Sequence, residues 1–266
     1  MIDLHCHILP GMDDGPETLA KAVAMCRAAE ADGIETIVAA PHYKPGTYEF
    51  TGPGILEAVY ILSGELKKQG LDIRILPGAE VTVSPEMHAS LMPGGYLTIN
   101  HGRYFLAEFR PLSVPARWDA FLLSFLDAGM TPIIAHPERN AWFIHRPEAL
   151  AAAVQSGILV QVTAMSITGG FGPETRDFSV HLLRQNLVHA IASDGHSARL
   201  RPPQLAEAVA LATDVVGRER ADALVTTIPQ AIIDSRPIPA LEPIEYNPQT
   251  RAPGRGWLQR LGLANF

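Results

Sequence analysis

Apolar residues along this chain form short runs, and segments of helical spacing separate them. Met1-Ile2-Asp3-Leu4 reads as a short buried strand. A helix is predicted over Glu17–Asp32, where Leu19, Val23, Cys26 and Arg27 repeat at helical spacing and Gly33 stops it. Strand Glu35–Ala40 follows, then a Pro- and Gly-containing loop over 44–54 and a helix from about Gly54 to Gln69. The next strands are Asp72–Leu76 and Tyr104–Ala107, with a short helix between them over 84–92. Helix Pro115–Ala128, capped by Gly129, leads to strand Thr131–Ala135. Helix 147–156, strand Ile158–Val162, a loop with Gly169, Gly170 and Gly172, helix 174–186 and strand His189–Ala192 come after it. Helix 203–217 and an apolar segment over 219–234 complete the pattern.

Strand, polar residue, loop and helix thus alternate about seven times, which implies a parallel sheet. The polar residues that carry chemistry follow the ends of many different strands. Only closure of the sheet brings all those ends together, so the expectation is a TIM-barrel-like α/β fold, a seven-stranded or irregular (β/α) barrel in one domain. An open doubly wound sheet would carry a Gly-rich phosphate loop after its first strand, and none is present. The expected domain is 1–235, with a Pro-rich tail over 236–266 crossing the surface.

Composition narrows the class. Hydrophobic residues make up 47% of the 266 and charged residues 18%, which suits a well-buried globular chain. A net charge of -7 argues against a basic nucleic-acid-binding face. No basic segment followed by an apolar run opens the chain, and no apolar stretch approaches the ~20 residues of a membrane helix. Two cysteines make no disulfide framework. The expectation is a cytoplasmic protein with no membrane insertion.

The residues past the strand ends are His5, His7, Asp14, His42, Glu80, Glu108, His136, Asp194 and His196. Alternation along a strand points His5 and His7 the same way and Cys6 the other way. Five imidazoles and four carboxylates exceed what one ion needs, and suit two or three clustered divalent ions. Nitrogen and oxygen donors without thiolate suit zinc, manganese or iron. Such ions lower the pKa of bound water and clamp phosphate oxygens.

His5-Cys6-His7 with Asp13-Asp14-Gly15, Pro41-His42-Tyr43, Pro77-Gly78-Ala79-Glu80, Glu108-Phe109, Ala135-His136-Pro137-Glu138-Arg139 and Ser193-Asp194-Gly195-His196 together resemble the PHP (polymerase and histidinol phosphatase) superfamily. Within it the chain looks most like the bacterial metal-dependent protein-tyrosine phosphatases of capsule and exopolysaccharide operons, the CpsB/CapC type. The resemblance covers about residues 1–235 and implies a distorted seven-stranded barrel. It implies one metal on His5, His7, Glu80 and Asp194. A second would share Glu80 with Glu108 and His136, and a third would sit on Asp14, His42 and His196. Manganese is the metal expected, with iron or zinc as substitutes. The implied substrate is the phosphotyrosine tail of a tyrosine autokinase that regulates polysaccharide export, attacked by metal-bound hydroxide. Ala40, Gly195 and Ser197 depart from the family's usual residues, and none of them is a ligand.

Arg139 and Arg201 are the phosphate-binding candidates, because guanidinium pairs hydrogen bonds to phosphate. Arg199 and Arg110 are alternatives. Phenolate leaves readily, so little acid help is needed, and His42 is a candidate to supply it. Tyr43 and Tyr48 are candidates to line a phenyl pocket. Neither Cys6 nor Cys26 is followed six residues on by the arginine of a thiol-phosphatase loop. His88, His101, His145, His181 and His189 match no motif and are expected to be structural or at the surface. The alternatives are a small-metabolite phosphatase, such as one for histidinol phosphate, and a non-catalytic partner of polysaccharide export.

Overall fold

Among the described residues, nine short strands carry the apolar runs: β1 (Ile2–Cys6), β2 (Thr36–Ala39), β3 (His42–Tyr43), β4 (Arg74–Pro77), β5 (Glu80–Thr82), β6 (Tyr104–Glu108), β7 (Thr131–Ala135), β8 (Leu159–Thr163) and β9 (Ala190–Ala192). The structure is a computed structural model and describes residues 1–110 and 113–238. Every strand pairing is parallel. β1, β7 and β8 are buried along their whole length, as expected where helices cover a parallel sheet.

Hydrogen bonding does not close these strands into one seven-stranded sheet. They form a three-stranded sheet, β1-β2-β4, and a six-stranded sheet, β3-β5-β6-β7-β8-β9. The extra strands arise because two apolar runs break near their ends. The first breaks at Ala40-Pro41, between β2 and β3, and the second at Gly78-Ala79, between β4 and β5. Proline has no N–H to give a ladder, and Pro41 and Pro77 stand at these breaks. Gly78 is forced by space: a Cβ there would lie 2.7 Å from Val38 Cγ1. Pairing resumes beyond each break, with His42 opposite Glu80. Single bonds cross the gaps: Ala40 N–H donates to Cys6 O at 2.9 Å, and Glu80 N–H donates to Pro41 O at 3.0 Å. At the other edge, Asp194 N–H donates to His5 O at 2.8 Å and His7 N–H to Gly195 O at 2.9 Å.

Helices cover the strands. Helix Leu19–Ala31 buries Ala22, Val23, Met25, Cys26 and Ala29, and Thr18 caps its N-terminus by accepting from Lys21 N–H. Helix Gly52–Lys68 is capped in the same way by Thr51. No helix among the described residues is long and apolar enough to cross a membrane.

Several elements differ from expectation. β1 runs on to Cys6, so His5 lies inside the strand. The five-residue helices Ala141–His145 and Ala164–Thr168 are additions to the expected elements, being too short to show a period. The segment over 84–92 narrows to Met87–Ser90, and 219–234 divides into Arg218–Ala223 and Thr227–Ile233. The chain packs past the expected boundary, with the Tyr104 hydroxyl donating to Arg236 O at 2.8 Å and Ile238 against the core. The expected tail from 239 onward lies outside the described residues.

His189 is a core residue whose Nδ1 accepts from Val160 N–H at 3.1 Å. Burial, and then the nearby Arg220 charge, push its pKa down to about 3. The unfolded chain therefore takes up a proton below the ordinary value of 6.5 that the folded chain refuses. This contribution is complete above that pH and is lost on acidification. Replacing His189 with Gln should make the acid-side fall in stability shallower by about 2 kcal/mol between about pH 6.5 and 5. Urea unfolding across this range checks it, and parallel pH profiles for the two proteins would refute it.

Candidate metal centre

Strand alternation and strand ends bring nine donors to one place. His5, inside β1, and His7, just past its end, point the same way, with their Nε2 atoms 3.2 Å apart. Cys6 points the other way, is buried, and donates its thiol to Gly195 O. Burial raises the pKa of that thiol well above its ordinary value. The strand breaks set the next pair, because His42 begins β3 and Glu80 begins β5. Glu108 ends β6, where its Oε2 accepts from the Thr82 hydroxyl at 3.3 Å. His136 follows β7 and Asp194 follows β9, and both adopt the left-handed backbone region, at φ 34° and 51°. Such conformations cost energy in non-glycine residues and cluster at functional sites.

Glu80 is the hub. Its Oε1 lies 2.7 Å from His136 Nε2. Its Oε2 lies 2.9 Å from His42 Nδ1 and 3.5 Å from Nε2 of both His5 and His7. Asp194 Oδ1 faces His7, His5 and His196 at 3.4, 3.7 and 3.7 Å. Asp14 Oδ1 faces His196 and His42 at 3.4 and 3.6 Å. Four groups have ligand atoms mutually within 4.8 Å: His7-Asp14-His42-His196, His5-His7-Glu80, His5-His136-Asp194 and His42-Glu80-Glu108. Together they contain all nine residues. The division differs from the one the resemblance implies, since His7 also joins Asp14 and His42 also joins Glu108.

The donors fit a cation. His5 Nδ1 faces Gln161 Oε1 at 3.0 Å, and His7 Nδ1 faces Asp13 Oδ2 at 2.6 Å. Both partners are acceptors, so each Nδ1 carries the proton and each Nε2 turns a lone pair inward. Two lone pairs 3.2 Å apart, beside buried carboxylates, call for a positive ion between them. With protons in place of an ion, burial alone would raise the Glu80 carboxyl, but the charges of protonated His5 and His136 hold it well below the carboxylate range. Asp194 is lowered in the same way against its burial, first by the hydrogen bond that a protonated His7 makes and then by the His5 charge. Asp14 is lowered chiefly by the hydrogen bond from His196, whereas burial raises Glu108. Protons and metal ions compete for these same lone pairs.

Arg139 and Arg201 lie on the outer side of Asp194. Arg139 Nη1 donates to Asp194 Oδ2, and Arg201 Nη2 donates to the same oxygen at 2.5 Å and to Asp194 O at 2.9 Å. Arg199 lines a cavity of about 810 Å³ with Asp14, His196, Lys21 and Met25. Arg110 is exposed, and its carbonyl accepts from Asn140 Nδ2. Tyr48 stacks on His42, with ring centroids 5.8 Å apart and planes at 15°. Tyr43 instead packs edge-on against Phe50 and Tyr96.

Residues behind the donors escaped the sequence analysis. Asp13 orients His7 and also accepts from His42 N–H at 2.9 Å. Gln161 orients His5, and the signal for it was a buried polar residue inside an apolar strand. Asp3, raised to about 6 by burial, binds the Ser193 hydroxyl and backbone and so ties β1 to the Asp194 loop. Glu138 accepts from Thr163 N–H and the Ser166 hydroxyl, which anchors the His136–Arg139 turn to β8.

Outer partners of ligating histidines typically carry a factor of about 10–100 in metal affinity. Gln161→Leu should therefore weaken binding at the His5 position by about that factor, with the fold retained. Titration of the metal-stripped protein with manganese checks it, and an unchanged binding curve would refute it.

The family model for capsular polysaccharide synthesis proteins CpsB/CapC matches residues 1–234. Tyrosine-protein phosphatase YwqE of Bacillus subtilis is 36% identical over 219 residues, 82% of this chain and 86% of YwqE. Tyrosine-protein phosphatase CpsB of Streptococcus agalactiae is 30% identical over 241 residues, 88% of this chain and 98% of CpsB. Among solved structures, one described for YwqE from Bacillus subtilis and CpsB from Streptococcus pneumoniae, unique metal-dependent tyrosine phosphatases, superposes with a TM-score of 0.88. It is 34% identical and covers 93% of this chain and 100% of its own. Histidinol phosphate phosphatase from Lactococcus lactis superposes at a TM-score of 0.52 with 15% identity over 83% of this chain and 94% of its own, a likeness of fold alone. With a family model matching residues 1–234 and relatives covered over 86% and 98% of their own length, this chain belongs to the CpsB/CapC family of capsular polysaccharide synthesis proteins.

Proposed function

We propose that this chain is a metal-dependent phosphatase that hydrolyses protein phosphotyrosine. Its substrate would be the tail of a bacterial tyrosine autokinase acting in polysaccharide synthesis, in the cytoplasm. The observation that carries this reading is one mouth shared by two kinds of group. Nine nitrogen and oxygen donors converge there, with two inward lone pairs 3.2 Å apart, and two guanidiniums stand on the outer side of the same carboxylate. Its relatives are named tyrosine-protein phosphatases.

His5, His7, Asp14, His42, Glu80, Glu108, His136, Asp194 and His196 would hold two or three divalent ions, manganese first among them. Such ions, when bound, supply an activated water and neutralise phosphate charge. Arg139 and Arg201 would exchange part of their bonding to Asp194 for phosphate oxygens, which orients the phosphorus over the donors. Tyr48, stacked on His42, would offer a ring face to the substrate phenyl group. His42 is the most exposed of the five site histidines, at 17%, and would serve either as a ligand or, when off the metal, as the acid that protonates the leaving phenolate. Counting β2 with β3 and β4 with β5 as single interrupted strands gives seven strands. That supports a distorted seven-stranded barrel, with a catalytic domain that includes residues 1–235 and packs on to Ile238.

Phosphate release from a phosphotyrosine peptide tests this reading. Manganese-reconstituted wild type should turn over, chelator should abolish turnover and manganese should restore it. His136→Ala should lose on the order of a hundredfold or more, the scale of losing groups that stabilise transition-state charge. Full activity in chelator, or faster turnover of histidinol phosphate, would overturn the assignment.

A further inference from the structure

The glycine-rich loop after β8 has no part in the chemistry so far, yet it carries a side chain to the two guanidiniums. Phe171 sits between helix Ala164–Thr168 and helix Pro173–Arg184. The Arg139 guanidinium carbon stands over its ring at 4.5 Å from the centroid, and that of Arg201 at 5.7 Å. The arginines come from loops 62 residues apart in sequence, after β7 and β9, and meet at this ring and at Asp194. Asp194 Oδ2 binds both at their edges, while Oδ1 of the same carboxylate faces the imidazoles.

Two like charges on one carboxylate oxygen repel each other. An aromatic face attracts both, and it also fixes the planes of the guanidiniums, which hydrogen bonds from one nitrogen of each leave free to rotate. The backbone presents the ring firmly. Gly170 N–H donates to Met165 O at 2.8 Å and Gly172 N–H to Gly169 O at 3.0 Å. Gly169 and Gly172 both stand at φ 93°, a region closed to most side chains, so the turn depends on its glycines. Arg201 Nε is buried and has no acceptor among the described residues, so one guanidinium N–H there still lacks an oxygen.

We infer that Phe171 is a positioning residue that locks Arg139 and Arg201 into a single two-guanidinium clamp for a phosphate group. This rests on the proposed phosphatase reading for the identity of the anion. The ring does not touch the reacting atoms. It holds the two cations in the planes that present their remaining N–H groups to phosphate oxygens.

The test is calorimetric binding of inorganic phosphate to the manganese-loaded full chain, with steady-state kinetics on a phosphotyrosine peptide beside it. Phe171→Leu keeps an apolar side chain and removes the aromatic face. It should weaken phosphate binding roughly tenfold, the product of two cation–π contacts, and Phe171→Tyr should recover most of that. KM should rise by a similar factor while kcat stays within about twofold, because the clamp binds ground state and transition state alike. Metal content and melting temperature of Phe171→Leu should match wild type. Wild-type phosphate affinity in Phe171→Leu, or no recovery in Phe171→Tyr, would overturn the inference. If Arg139→Ala loses phosphate affinity and Phe171→Leu does not, the inference fails and the phosphatase reading stands. If phosphate binds in this graded way but no phosphotyrosine peptide is hydrolysed, the clamp stands and the proposed activity fails.

Discussion

Everything near the mouth of this fold answers to one constraint, the buried carboxylate of Glu80. A lone carboxylate with no exposure would cost several kcal/mol and would take up a proton instead. Four imidazoles, those of His5, His7, His42 and His136, stand within 3.5 Å of its two oxygens and reverse that outcome. Those imidazoles in turn need their own outer nitrogens satisfied, which is what Gln161 and Asp13 do. Charge, tautomer and burial are therefore settled together, and no single donor could be buried in this way without the others.

The backbone pays for this convergence in specific places. Pro41 and Gly78 interrupt two strands just before His42 and Glu80, so both side chains enter the site from new short strands in register with each other. His136 and Asp194 leave their strands through left-handed conformations. Buried anchors hold those turns, Glu138 on β8 for the first and the Asp3–Ser193 pair on β1 for the second. The irregularities that keep the strands from pairing as one continuous sheet are thus the same ones that aim the donors.

Much of this was legible in the chain. Strand–helix alternation gave the parallel α/β class, and histidines or carboxylates past successive strand ends gave the donor set, because strand ends of a parallel sheet share one face. The division of two strands into four was not legible, since a proline or glycine near a strand end reads equally well as its termination. Asp13 was hidden beside Asp14: two adjacent acids before a glycine do not say which one turns inward. Gln161 stands out as one polar residue in an apolar strand, but that does not say which side chain it faces. Phe171 was hidden because its partners, Arg139 and Arg201, are remote in sequence and meet it only through the fold.

What the sequence determined by itself is the kind of chemistry available: which strands exist, which ends carry nitrogen and oxygen donors, and that no thiol could take part where alternation turns Cys6 away. These are local properties, set by side-chain type and by backbone period. Tertiary structure alone decided how the donors are shared, with His7 and His42 each reaching two groups and Asp194 serving imidazoles on one oxygen and guanidiniums on the other. It also decided which second residues orient them. Sharing depends on distances of a few ångströms between side chains from different strands, and those distances exist only once the strands have packed.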